Sequence, residues 1–143
     1  MTDLSQATPL KELERRLAGL QAHLRDRRLD AALLMQNTDL FYFAGTIQQA
    51  HLYVPVEGPP LLMVRKSLAR ARAESPLPHV LPLASPREIA GLLARHDLAA
   101  PASLGMELDV VPAATYLRYA EIFPGRLEDI SDRKSTRLNS SHR

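Results

Sequence analysis

The first part of the chain places an amphipathic helix directly before an apolar segment. Five leucines follow one another at alternating gaps of three and four residues, which sets them on one face of a helix. They are Leu10, Leu13, Leu17, Leu20 and Leu24. The next apolar run, residues 31–35, has no polar position, as in a strand that is covered on both faces. This order of elements requires helices layered against a sheet.

The rest of the chain continues the alternation of strands and helices. Apolar or alternating runs predict six strands, at residues 31–35, 50–56, 61–64, 79–83, 103–107 and 126–130. Helices are predicted over residues 9–28, 37–43, 67–75, from 85 onward, and 109–122. Glu57-Gly58-Pro59-Pro60 forms a turn that joins two of the strands in a hairpin. We therefore expect an α/β domain with a mixed six-stranded sheet flanked by helices.

Capping residues predict where several helices begin and end. Side-chain oxygens at an N-cap accept a hydrogen bond from an amide of the first turn. The predicted caps are Thr8 before Pro9, Asn37 or Asp39, Ser85 before Pro86, and Asp109. Gly45 is expected to end the second helix, because glycine readily adopts the left-handed conformation.

Length and composition indicate one globular domain. The chain has 143 residues, of which 45% are hydrophobic, enough for a single core. No apolar run approaches the roughly 18 residues that span a bilayer, so no membrane segment is expected. The charged N-terminus lacks the apolar core of a signal peptide, which favours a cytoplasmic location. The absence of cysteine excludes disulfides and thiolate catalysis.

The positive charge of the chain is confined to its end. The net charge is +2, but residues 133–143 hold four basic side chains and no acid. Without them, 14 basic and 16 acidic residues remain, so no nucleic-acid partner is expected. The tail also resembles translated adaptor sequence found on unrelated predicted proteins. We therefore expect the natural sequence to diverge after about Asp132, and residues 133–143 to be a non-native, disordered tail.

No sequence motif supplies a complete active site. The five histidines are isolated from one another and form no HxxxH or HExxH pattern, so no metal site is predicted in this chain. GxSxG and the glycine-rich nucleotide motifs are also absent. Glu107 and Asp109 stand two residues apart at a predicted strand end, which is best explained as a strand end followed by a helix cap.

Three consecutive aromatic residues, Phe41, Tyr42 and Phe43, precede Gly45 in a chain with only seven aromatics. Two interpretations are open at this point. The aromatics either line a ligand site, or they bury themselves in a short turn that directs the following loop.

The order of these motifs resembles the N-terminal domain of the creatinase, prolidase and Xaa-Pro aminopeptidase family. The matching segments are ELERRLAGLQAHLRDRRLDAALLM, NTDLFYFAGT, HLYVPVEGPPLLMVRKS and LGMELDVVPAATYLRYAEIFPG. The resemblance implies a domain over residues 10–132, after an N-terminal extension at 1–9, with a ribonuclease H-like sheet. It also implies a homodimer, and catalysis in a missing pita-bread domain that binds two divalent metal ions and cleaves short proline-containing peptides.

The resemblance also implies roles for two groups of residues. Phe41, Tyr42, Phe43 and Gly45 would form a structural anchor, each buried aromatic contributing about 2–3 kcal/mol. The anchor would position a substrate-access loop that contains Gln48, Gln49 and His51. No catalytic residue is expected in this chain. The alternative is a free-standing protein-interaction domain of the same fold, without enzymatic activity.

Overall fold

The structure, a computed structural model, describes residues 8–132 and contains the predicted mixed sheet. The strands are β1 (Ala31–Leu34), β2 (Ala50–Pro55), β3 (Leu61–Val64), β4 (Val80–Pro82), β5 (Ser103–Met106) and β6 (Arg126–Asp129). The helices are α1 (Leu10–Arg27), α2 (Asn37–Ala44), α3 (Leu68–Glu74), α4 (Ile89–Arg95) and α5 (Ala113–Ile122), with one 3₁₀ turn (Pro86–Glu88) before α4. The predicted tail and most of the N-terminal extension lie outside the described residues.

The sheet has the strand order β4-β3-β2-β1-β5-β6. β1 pairs in parallel with β5, β5 with β6, and β3 with β4. β2 is antiparallel to both of its neighbours, β1 and β3, which confirms the predicted hairpin. The carboxyl ends of the five co-directional strands therefore lie at the same edge of the sheet as the amino end of β2.

Both faces of the sheet are covered, which explains the absence of polar residues in β1. Ala32 and Leu34 pack with the leucines of α1 in one core. Ala31 and Leu33 point to the opposite face and pack in a second core with α4 and α5. All four side chains are at most 1% exposed. Fully burying a leucine stabilises the fold by about 2 kcal/mol.

The predicted caps of three helices are wrong. α1 begins at Leu10 with Pro9 at its N-cap, and α2 begins at Asn37 with Gln36 at its N-cap; neither helix has a side-chain cap. α5 begins four residues after Asp109, because Asp109 bonds to a residue just after β6 instead. Its Oδ1 accepts a hydrogen bond from Ser131 Oγ at 2.7 Å.

The predicted helix start at Ser85 is confirmed, since Ser85 is the N-cap of the 3₁₀ turn that leads into α4. Ser85 Oγ accepts a hydrogen bond from the Arg87 amide at 3.3 Å, and Glu88 Oε1 accepts one from the Ala84 amide at 3.0 Å. These two bonds satisfy amides at the start of the 3₁₀ turn that leads into α4.

Candidate functional site

A groove of about 390 Å³ lies at the sheet edge where the carboxyl ends of the strands meet the amino end of β2. Its floor comes from Met35, which follows β1, and from Ala50 and His51 at the start of β2. Arg65, which follows β3, and Tyr119 on α5 form its walls. This edge is where open α/β sheets place ligands, because loops from several strands converge there.

His51 and Tyr119 form a buried pair in the lining of the groove. His51 Nε2 lies 2.5 Å from Tyr119 Oη, and the two rings are stacked at 5.7 Å between centroids. His51 is 7% exposed and Tyr119 is 4% exposed. Burial, assisted by the charge of Arg65, lowers the pKa of His51 to about 4. Burial also raises the pKa of Tyr119, so both groups are neutral at pH 7.

The start of α2 supplies polar backbone to the same groove. Gln36 and Asn37 line it, and the first hydrogen bond of the helix runs from the Leu40 amide to the Gln36 carbonyl. α2 has no side-chain hydrogen bond at its N-cap, and its first turn carries the acidic side chain of Asp39.

Two buried acids line a smaller cavity beside the groove. Asp39 is 2% exposed and Glu107 is 3% exposed, and both face this cavity together with Gln36. The sequence paired Glu107 with Asp109, but the structure separates the two residues. Glu107 is buried, whereas Asp109 is exposed and bonded to Ser131.

The structure divides the predicted substrate-access loop. Gln49 and His51 both line the groove, whereas the Gln48 side chain donates a hydrogen bond to Glu74 Oε1 at 3.3 Å. His51 is buried, because β2 is an interior strand of the sheet and α5 packs against it through Tyr119. Sequence reasoning missed Tyr119 and the place of Arg65 in the groove.

The aromatic anchor is only partly buried. Phe43 is 2% exposed, and Tyr42 packs against Arg16, whose guanidinium carbon lies 4.3 Å from the ring centroid. The prediction that all three aromatics are buried is wrong for Phe41, which is 53% exposed. The buried face of α2 passes through Leu40 and Phe43, three residues apart, and this spacing turns Phe41 toward solvent.

Gly45 ends α2 as predicted. Its φ is 81°, and its amide donates to the carbonyls of Leu40 and Phe41 at 3.1 Å. This left-handed residue turns the chain from α2 into the loop that leads to Gln49.

The two divalent metal ions implied by the resemblance do not fit the described part of the chain. Within residues 8–132, no three His, Asp or Glu side chains converge as a metal site requires. Over the same residues, none of the helices combines the length and apolar character needed to cross a membrane.

Comparisons with known proteins identify the fold and the family. Residues 16–135 match the model of the creatinase/prolidase N-terminal domain. The structure is similar to that domain of an X-Pro dipeptidase from Streptococcus pyogenes, with a TM-score of 0.71 and 18% identity over 85% of this chain and 98% of that one. It is also similar to the N-terminal domain of the cytoplasmic peptidase PepQ from Mycobacterium tuberculosis, with a TM-score of 0.67 and 22% identity, covering 80% and 92% of the two chains.

A third similar structure is that of a longer protein. Prolidase from Pyrococcus furiosus matches with a TM-score of 0.66 and 19% identity, over 87% of this chain but only 36% of the prolidase chain. Among curated protein sequences, none matches significantly. The family model covers most of the chain, and the sheet agrees with solved structures of the same domain. The chain therefore belongs to the creatinase/prolidase N-terminal domain family.

Proposed function

We propose that this chain is the non-catalytic N-terminal domain of a cytoplasmic Xaa-Pro peptidase of the prolidase type. In this proposal the domain contributes to a homodimer and shapes the access of short proline-containing peptides to the partner's active site. Family membership supports the proposal, as does the match to one part of a longer prolidase chain. The catalytic domain, with its two divalent metal ions, would be encoded beyond Asp132.

The observation that carries the access role is the rigid support of the loop before β2. Thr46 is 1% exposed, and its hydroxyl donates to Glu74 Oε1 at 2.6 Å. Beyond this fixed point, Ile47 is 55% exposed and Gln49 is exposed at the groove. A rigid base with exposed polar and apolar side chains is suited to confining a ligand held by another surface.

The test uses the protein encoded by the natural reading frame, continued past Asp132. Hydrolysis of an Xaa-Pro dipeptide is measured with Mn²⁺ for the natural protein and for the Gln49→Ala and Ile47→Ser variants. We expect KM to rise about three- to tenfold with kcat nearly unchanged, because the loop confines substrate without entering the chemistry. Light scattering reports whether each protein stays dimeric.

Glu57→Gln serves as the matched control. Glu57 is exposed in the turn between β2 and β3, at the opposite end of β2 from the groove. The KM of the Glu57→Gln variant should therefore equal that of the natural protein. The access role is refuted if both loop variants retain the natural KM. The 143-residue chain alone should hydrolyse no Xaa-Pro peptide, and metal-dependent turnover by it would refute the non-catalytic role.

A free-standing interaction domain is the second candidate. Two single exposed apolar side chains favour it: Leu117 on α5 is 63% exposed, and Phe41 on α2 is 53% exposed. The natural reading frame distinguishes the two candidates. A stop codon soon after Asp132 supports the interaction domain, and a continuous frame with spaced Asp, His and Glu residues supports the peptidase.

A further inference from the structure

The two edges of the sheet differ in whether their backbone can pair with another strand. β4 forms one edge and β6 forms the other. In β4 the outward carbonyl of Val80 accepts hydrogen bonds from Arg72 Nε at 3.2 Å and Nη2 at 3.1 Å, and Pro82 has no N–H to donate. Charged side chains and prolines on an edge strand prevent it from pairing with another chain. The β4 edge is therefore blocked.

The β6 edge leaves the backbone of Leu127 available. The Arg126 amide donates to the Ala102 carbonyl, just before β5, at 2.8 Å, and the Ile130 amide donates to β5 at 2.9 Å. Alternate residues of a strand bond the same neighbour, so the N–H and C=O of Leu127 point away from β5. Neither group has a hydrogen-bond partner among residues 8–132. None of the four residues of β6 is fully buried.

The side chains of β6 are complementary to those of a second copy of the same strand. Arg126 and Glu128 flank Leu127 and point to one face of the sheet, where they form an ion pair with each other. Leu127 points to the other face and packs, partly buried, against the core beneath α4 and α5. In an antiparallel pair centred on Leu127, Arg126 of each chain lies opposite Glu128 of the other.

The neighbouring registers are unfavourable. Centring the pair on Arg126 sets two arginines opposite each other, and centring it on Glu128 sets two glutamates opposite each other. Like charges that lie directly opposite destabilise a strand pair. The register centred on Glu128 would also place its central hydrogen bonds on Asp129, whose carbonyl already accepts a bond from Arg27 Nη2 at 3.0 Å. Charge and hydrogen bonding therefore favour the register centred on Leu127.

We propose that β6 pairs antiparallel with β6 of a second copy of this chain, with Leu127 at the two-fold axis. The N–H and C=O of Leu127 exchange two hydrogen bonds with the same groups of the second copy. Arg126 of each chain forms an ion pair with Glu128 of the other, and the two sheets join into one. Because β6 has only four residues, the contact is small and the dimer dissociates readily. The proposal goes beyond the proposed function, because it assigns the contact to this domain and needs no catalytic domain.

The first experiment measures association of the 143-residue chain by sedimentation velocity between about 10 µM and 1 mM. We expect a reversible monomer–dimer equilibrium with a Kd inside this range. Amide hydrogen exchange, followed by NMR at both ends of the range, locates the contact. Exchange of the Leu127 amide should be at least about tenfold slower in the dimer, whereas exchange of the Glu128 amide, which faces β5, should not depend on concentration. A chain that stays monomeric, or a dimer in which Leu127 exchanges as in the monomer, overturns the proposal.

Charge variants test the register. Arg126→Glu and Glu128→Arg each place like charges across the strand pair, so each should weaken its own dimer at least about tenfold. In an equimolar mixture of the two variants, every cross-strand pair is again of opposite charge. The mixture should therefore form a heterodimer with about the natural affinity, which misfolded variants could not do.

Arg70→Glu is the matched control. Arg70 is exposed on α3, which packs beside β4 at the opposite edge of the sheet, so this variant should dimerise like the natural chain. The proposal is overturned if Arg126→Glu dimerises like Arg70→Glu, or if the mixed charge variants do not associate. Neither result bears on peptide access, which the KM of the longer protein tests separately.

Discussion

The hydroxyl of Thr46 donates a 2.6 Å hydrogen bond to Glu74 Oε1, which joins the loop after α2 to the last residue of α3. The Gln48 side chain donates to the same carboxylate oxygen at 3.3 Å. Because Thr46 is buried, the bond fixes the loop to the body of the domain, although Glu74 itself is exposed.

Replacing Thr46 with valine should destabilise the domain by about 1–3 kcal/mol. The substitution keeps the shape of the side chain but removes the donor to a charged acceptor. Urea unfolding at pH 7 measures the loss. Thr38→Val is the control, since Thr38 is exposed in the first turn of α2. Equal free energies of unfolding for the two variants would contradict the role assigned to this bond.

Replacing Gly45 with alanine should cost about 1 kcal/mol through the backbone alone. Its φ of 81° is unfavourable for an L side chain, whereas the nearest atom to an added Cβ, the Glu74 carbonyl oxygen, would be at an ordinary 3.6 Å. Gly91→Ala provides the opposite case. Gly91 lies inside α4 with open space around it, so alanine should stabilise the helix by up to about 1 kcal/mol. Thermal unfolding of both variants distinguishes backbone strain from crowding, and loss of stability in both would refute the backbone explanation.

The elements with a strong local pattern were predictable from sequence. The leucine stripe of α1 and the uniformly apolar β1 need only their own residues to specify their form. The helix starts were less predictable, because a polar side chain near a helix can be drawn to a distant partner. Asp109 illustrates this, since it is bonded to Ser131, 22 residues away.

The groove itself could not be predicted from local patterns. His51 and Tyr119 are 68 residues apart, and they meet only because α5 covers the face of the sheet where β2 begins. Gln49 and His51 are neighbours in the sequence, but the sequence gave no signal for Tyr119. Only the order of the strands brings the end of β3, and therefore Arg65, to the same edge.

Replacing Gly105 with alanine should cost about 1–3 kcal/mol by overpacking. A Cβ at this position in β5 would lie 2.7 Å from Ile130 Cγ2 and 3.3 Å from Leu29 Cδ1. Both neighbours are buried and have little room to move. Chemical denaturation of the single variant measures the cost.

A double-mutant cycle with Ile130→Ala identifies the cause of that cost. Removing the Ile130 side chain leaves a cavity in the natural protein, but in the Gly105→Ala variant it also removes the clash. The second substitution should therefore cost less in the variant than in the natural protein, by about 1 kcal/mol or more. Additive effects would show that the Gly105 penalty arises elsewhere.

The stability of the domain should fall on acidification because of His51. Its pKa is about 4 in the folded protein and 6.5 in the unfolded chain. Between these values the unfolded chain binds the proton and the folded domain does not, so protonation favours unfolding. The contribution of His51 is fully present above about pH 6.5 and decreases toward pH 4. The linkage between protonation and folding predicts that the free energy of unfolding falls by about 2 kcal/mol between pH 7.5 and pH 5.

Urea unfolding at pH 7.5 and pH 5 measures this loss, and two variants test its origin. The phenylalanine of His51→Phe cannot bind a proton. Between pH 7.5 and pH 5 the free energy of unfolding of this variant should therefore fall by about 2 kcal/mol less than that of the natural chain. Tyr119→Phe removes the hydrogen bond but keeps the imidazole buried. Because burial is the main cause of the lowered pKa of His51, this variant should retain most of the natural pH dependence. Retention of the full dependence by His51→Phe would show that other groups produce it, and its loss in Tyr119→Phe would assign it to the hydrogen bond.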